Sequence, residues 1–175
     1  VELPQQRKFR YIGKYNLDPS TAETLISKKA LSDWFENSIK DEENIDTVRL
    51  FAMWLTRDLL SMMKLDKTSI KDLKFSGSDL ILLVNKITSN ELSGNMAHQV
   101  LEELYNNGGK VEEVVKNMGL TIITDESELL SIIEKVLSEN AKVVQDIDKN
   151  PNAIKFLLGQ VMKHTKGQAD PGKAM

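Results

Sequence analysis

Cysteine is absent from the 175-residue chain, which removes disulfides, thiolate nucleophiles and cysteine-ligated zinc and makes an intracellular setting the expectation. Histidine occurs only at His98 and His164. Neither lies in a pattern that would activate a neighbouring serine, and their separation puts no pair of metal ligands on one helical turn. No catalytic residue and no metal ligand is therefore expected. No apolar run approaches the roughly 20 residues that a membrane-spanning helix needs, so no membrane partner is expected. Positive charge is not in excess: 23 basic against 26 acidic side chains leave a net charge of −3. A polyanion site, if there is one, must be a local patch. Glycines at 77, 94, 108, 109, 119, 159 and 167 never assemble into a phosphate loop or a dinucleotide fingerprint after a strand, so no cofactor is expected to bind these residues.

What the chain does have is apolar residues three and four apart almost everywhere, with alternating β-branched runs nearly missing. The fold class is all-α. Pro4 opens a first helix to about Asn16, and Pro19, with Asp18 as N-cap, a second. Ser27 to Ile39 reads as a third, burying Leu31, Trp34 and Phe35. The longest helix is predicted from Glu43 to Leu65, with Val48, Ala52, Leu55, Leu59 and Met62 as one stripe and Leu50, Met53 and Trp54 as a second. Helices follow at Ser78 to Thr88 and Ser93 to Asn107, the latter stopped by Gly108-Gly109.

After that break the elements are smaller. Val111 to Met118 is one. Asp125-Glu126-Ser127-Glu128 starts another with Leu129, Ile132, Ile133, Val136 and Leu137. Asn150-Pro151 precedes a last helix ending near Lys166. The spacing places a boundary near Gly108 to Lys110, giving a helical bundle domain at 1–109 and a small helical tail domain at 110–175. Val1-Glu2-Leu3-Pro4 reads as the interior of a longer protein.

Carboxylate clusters such as Asp41-Glu42-Glu43 stand where helices begin, which favourable interaction with a helix N-terminus explains. His98, Trp34, Trp54 and Met62-Met63 fall on helix faces, where packing explains them. The last helix asks for more. At about 100° per residue, Lys155, Gly159, Lys163 and Lys166 share one sector, while Ile154, Leu157, Leu158 and Val161 share another. Lys155 and Lys163 are about 12 Å apart along the axis, enough to meet separate phosphates, and His164 and Lys173 extend the positive charge. Glycine inside a helix costs about 1 kcal/mol relative to alanine. Gly159 therefore asks for a reason, either close packing of another helix or approach of a phosphate–sugar backbone.

Residues 156–171, Phe-Leu-Leu-Gly-Gln-Val-Met-Lys-His-Thr-Lys-Gly-Gln-Ala-Asp-Pro, resemble a signature near the C-terminus of the B subunit of the Glu-tRNA(Gln)/Asp-tRNA(Asn) amidotransferases, commonly F-L-V-G-Q-x-M-K-x-[TS]-K-G-x-A-N-P. Leu3-Pro4 with Arg7 and Arg10-Tyr11, Ile87 with Leu92-Ser93-Gly94 and Ala97, and Gly119-Leu120 with Ile123-Thr124-Asp125 and Leu129 agree in order and spacing. The resemblance spans essentially the whole chain. It implies a helical domain followed by a tail similar to the small YqeY proteins, together holding tRNA(Gln) or tRNA(Asn), with RNA contacts at Lys155, Gly159, Lys163, His164, Lys166 and Lys173. It also implies an upstream domain that uses ATP and magnesium, and assembly with the A and C subunits, the former delivering ammonia from glutamine. The reaction implied for the whole enzyme is conversion of Glu-tRNA(Gln) to Gln-tRNA(Gln) and of Asp-tRNA(Asn) to Asn-tRNA(Asn), in the cytoplasm or an organellar matrix. The chain departs from the family at Asn150-Pro151-Asn152, where Gly-Lys is common, and at Asp170, which replaces asparagine. The alternative is a YqeY-like protein-interaction module that does not bind RNA.

Overall fold

Capping chemistry sets the helix boundaries in the computed structural model, which describes residues 2–121, 123, 126–147, 150, 152–169 and 174. Helix α1 (Pro4–Tyr15) and α2 (Pro19–Ile26) both open on a proline, and the Asp18 carboxylate accepts from the amides of Ser20 and Thr21 at 3.0 Å. The Ser20 and Thr21 hydroxyls, which also donate to it, together with those amides hold its carboxyl well below the usual range. Helix α3 (Lys29–Ser38) brings Phe35 against Tyr11 of α1, ring centroids 5.1 Å apart, and against Phe51, 5.8 Å away. All three rings are fully buried. They are the aromatic centre of the larger core.

The long central helix is not uniform. Helix α4 (Ile45–Met53) passes into a π-helical segment (Trp54–Leu59) and continues as α5 (Leu60–Asp66). The amide of Leu60 donates to the carbonyl of Leu55, so the wider turn takes in one more residue than an α-turn would. Val48, Ala52, Leu55 and Leu59 are buried as the periodicity requires, but the next core residue is Met63, 6% exposed, rather than Met62, which packs only at the edge. A one-turn 3₁₀ segment (Ile70–Asp72) leads to α6 (Gly77–Thr88) and α7 (Gly94–Asn107), which begin at the N-caps Ser76 and Ser93.

Helix α8 (Val111–Asn117) packs with the larger core: Val111, Val114 and Leu120 belong to the same buried cluster as α1 to α7. The Lys110 ammonium reinforces this, 3.2 Å from the Asp79 carboxylate at the start of α6. The division between hydrophobic clusters thus falls between Leu120 and Leu129, later than the boundary near 108–110 expected from the glycine pair. The second, smaller cluster unites Leu129 and Val136 of α9 (Glu126–Glu139), the flank of α10 (Ala141–Gln145), and Leu157 and Val161 of α11 (Asn152–His164), with Ala169 fully buried among them. Among the described residues there is no β-strand; one isolated parallel bridge joins Ile123 to Ala169, the Ile123 amide donating to the Gln168 carbonyl at 2.7 Å. The all-α class holds.

A candidate nucleic-acid interface on the last helix

Helix α11 has two unlike faces because its inward positions are small or aliphatic and its outward ones are long cations. Leu157 and Val161 are buried with Leu129 and Val136 of α9, and Ala153 in the first turn is buried as well. Ile154, expected in the buried sector, is instead 44% exposed, at the edge of the apolar groove that Leu157, Leu158 and Val161 also line. On the other side, Lys155, Gly159, Lys163 and Lys166 line one open cleft of about 710 Å³ with Asn95 and Gln99 of α7, Leu158, Met162 and Gly167. Among the described residues no carboxylate lines it. Among the same residues, Lys155, Lys163 and Lys166 form no ion pair, so their charge is left to the solvent. Gly159 is exposed, and a Cβ built there would meet nothing within 4 Å. Intramolecular helix packing is therefore not what calls for a glycine.

His164 does not join them. Its Nε2 lies 3.2 Å from the Glu139 carboxylate at the end of α9, which places it on the side facing α9 and outside the residues lining the cleft. One position along a helix is a turn of about 100°, enough to separate His164 from Lys163. Lys173 lies outside the described residues. Of the remaining expected RNA contacts, the structure brings Lys155, Gly159, Lys163 and Lys166 together.

The end of α11 explains the rest of the signature. The chain leaves the helix through two left-handed residues, Lys166 at φ 51° and Gly167 at φ 81°, and the Gly167 amide returns to the Met162 carbonyl at 2.7 Å. The Thr165 hydroxyl, in a residue 5% exposed, donates to the Val161 carbonyl at 2.9 Å and accepts from the Ala169 amide at 3.2 Å. Thr165, Gly167 and Ala169 thus build the turn, while Lys163 and Lys166 project from it. The turn is pinned to the larger core by Ser93, whose hydroxyl donates to the Gly167 carbonyl at 2.7 Å. That bond brings the first turn of α7 against the end of α11 and gives the cleft its second wall. Residue-by-residue reading of the sequence does not find Asn95 and Gln99, because only the fold brings residues so distant in the chain together.

Elsewhere the titratable groups serve packing. His98 stacks on Trp54 with ring centroids 4.4 Å apart, its Nδ1 3.6 Å from the Asp58 carboxylate, beside the π-helical turn. Glu2 bridges Arg7 and Arg10, and the hydrogen bond from Arg10, with burial opposing it and Arg7 assisting, draws its carboxyl down to about 2. Burial, together with the Glu36 carboxylate that accepts its hydroxyl at 2.9 Å, pushes the Tyr11 phenol up. Among the described residues no three His, Asp or Glu side chains gather in a way that could hold a metal ion, and no helix is long and apolar enough to cross a membrane.

Residues 33–175 match the GatB domain family. The chain is 38% identical over 171 residues to the B subunit of the aspartyl/glutamyl-tRNA(Asn/Gln) amidotransferase of Lysinibacillus sphaericus, covering 97% of this chain and 35% of that protein. It is 36% identical over 171 residues to the protein of the same name from Caldicellulosiruptor bescii, covering 97% of this chain and 36% of the relative, and 35% identical to that from Shouchella clausii, covering 97% and 35%. The chain therefore spans about a third of the length of the curated relatives it matches. With the family's pattern running from α3 to the end of the chain, and with relatives of a single name aligned along 97% of it, the chain belongs to the GatB domain family.

Proposed function

We propose that this chain is a tRNA-binding region of the B subunit of an aminoacyl-tRNA amidotransferase, and that its role in converting Glu-tRNA(Gln) to Gln-tRNA(Gln), or Asp-tRNA(Asn) to Asn-tRNA(Asn), is to hold the tRNA body. The relatives' shared name supports the setting. The observation that carries the RNA reading is the juxtaposition of Lys155 and Lys163 on α11, Lys166 in the turn that follows it, and an uncovered Gly159, in a cleft that no described carboxylate lines. Unpaired ammonium groups at this spacing suit phosphates, and bare main chain lets a sugar–phosphate backbone come close. On this reading the ATP and magnesium that activate the carboxyl group, the glutamine-derived ammonia, and the A and C subunits engage other parts of the enzyme. The chain's own residues bind and orient.

The test uses the open space over Gly159. A Cβ there meets nothing within 4 Å and a longer side chain would extend into the open cleft, so Gly159→Leu should leave the helical signal and unfolding midpoint at or above those of the parent while weakening tRNA binding about tenfold or more by filling the cleft. Unchanged tRNA affinity would overturn the assignment of this face. A second reading, docking of a protein partner, is favoured by the apolar groove of about 260 Å³ between α9 and α11, lined by Val136, Leu137, Ile154 and Leu157. Under that reading, substitutions in the groove would impair the enzyme and those at Gly159 would not.

A further inference from the structure

Asn95 and Gln99 stand four residues apart on α7, which places their carboxamides on one face of that helix, and both line the cleft opposite the lysines of α11. Among the described residues neither carboxamide has a hydrogen-bond partner within the chain. Nothing in the packing of α7 uses them: its buried residues are Met96, Ala97, Val100, Leu101, Leu104 and Tyr105. A polar pair held four residues apart on a rigid helix, open to solvent, without a partner in the chain and lining the same cleft as the lysines, is available to a ligand carrying both negative charge and groups that donate as well as accept hydrogen bonds. A carboxamide offers two N–H donors and a carbonyl acceptor, whereas an ammonium only donates. Phosphate oxygens only accept, so lysines complete them and amides are not needed. The 2′-hydroxyl of ribose does both, and it is the group by which a protein separates RNA from DNA at a given site.

We infer that Asn95 and Gln99 are the ribose-reading half of a composite cleft: α11 grips phosphates, and α7 contacts the adjoining 2′-hydroxyls, so that the cleft prefers RNA to DNA. This rests on the RNA reading of α11 and adds a second wall from the larger core. The Ser93 hydroxyl on the Gly167 carbonyl, 2.7 Å, fixes the spacing of the two walls, and the close fit of Gly167 against the Asn95 Cβ, 3.3 Å from where its own Cβ would lie, sets their approach. Alanine at position 95 keeps that Cβ and so keeps the fit.

The experiment compares the 175-residue chain, the Asn95→Ala/Gln99→Ala variant and a Lys155→Gln/Lys163→Gln/Lys166→Gln variant, each titrated with a tRNA transcript and with an all-deoxy strand of the same sequence at one salt concentration. Removing two hydrogen bonds to the ligand should weaken RNA binding by the amide variant about tenfold, leave DNA binding within about twofold, and so shrink the RNA-over-DNA preference. The lysine variant should lose affinity for both. An amide variant that binds RNA as the parent does, or loses RNA and DNA equally, overturns the inference about α7 while leaving the lysine face intact. A lysine variant that binds both ligands unchanged overturns the underlying reading instead. Matching unfolding midpoints for the three proteins establish that the comparison is between folded chains.

Discussion

The Ser93 hydroxyl donates to the Gly167 carbonyl across 2.7 Å, joining residues 74 positions apart and tying the N-cap of α7 to the turn that ends α11. The same oxygen accepts from the Met96 amide at 3.3 Å. It thus serves two structures at once. Replacing it by alanine removes the cap, a loss of about 1 kcal/mol in typical helices, and also the tie between the two hydrophobic clusters. Ser93→Ala should lower stability by about 1–2 kcal/mol in urea unfolding and weaken tRNA binding, because one wall of the cleft is no longer held. Ser93→Thr, which keeps the hydroxyl, should recover most of both.

Two glycines on the same segment should respond in opposite directions. Gly167 sits at φ 81°, and a Cβ there would lie 3.3 Å from the Asn95 Cβ; Gly167→Ala should destabilise by about 1–2 kcal/mol through the left-handed backbone alone. Gly159 lies within α11 with nothing within 4 Å of a Cβ, so Gly159→Ala should stabilise by up to about 1 kcal/mol. Denaturant midpoints of the two single variants check the signs.

Asp79 carries an acid-sensitive contribution to stability. Burial acts to raise its carboxyl, but the Ser76 hydroxyl, the Ser76 amide and Lys110 outweigh that and leave it below the usual range. A carboxyl lowered in the folded state stabilises the fold above its unfolded value and stops doing so as pH falls through the lowered folded value. The difference in stability between the parent and Asp79→Asn should therefore be full, about 1 kcal/mol or more, near neutral pH and should shrink as the solution is acidified below the ordinary carboxylate range. A gap that is constant with pH would exclude this role.

The helices are legible in the sequence where capping and periodicity coincide, as at Asp18-Pro19, Ser93-Gly94 and Gly108. The π-helical turn at Trp54–Leu59 is not, since nothing in Trp-Leu-Thr-Arg-Asp-Leu marks an extra residue in one turn; spacings of three and four are both helical, so the pattern also does not choose Met63 over Met62 as the buried residue after Leu59. Gly108-Gly109 ends a helix as expected, but a helix end need not end a core, and Val111, Val114 and Leu120 carry the larger cluster past it. At the site, angular position groups Lys155, Gly159 and Lys163, whereas Lys166 reaches the same cleft from the left-handed turn after α11, where helical angle no longer applies. Adjacency in the chain draws His164 in with them, whereas its actual neighbour, Glu139, comes from α9. Asn95 and Gln99 depend on approach between distant segments, which periodicity does not encode.

The central claim is that the unpaired ammonium groups of α11 meet phosphates, and the salt dependence of tRNA binding tests it most directly. Dissociation constants measured from low to physiological salt should give a linear plot of log affinity against log salt. The Lys155→Gln/Lys163→Gln/Lys166→Gln variant should bind more weakly with a slope shallower by about 2–3, near 0.7–0.9 for each of three phosphates no longer neutralised. Parallel lines of equal affinity for parent and variant would contradict the account.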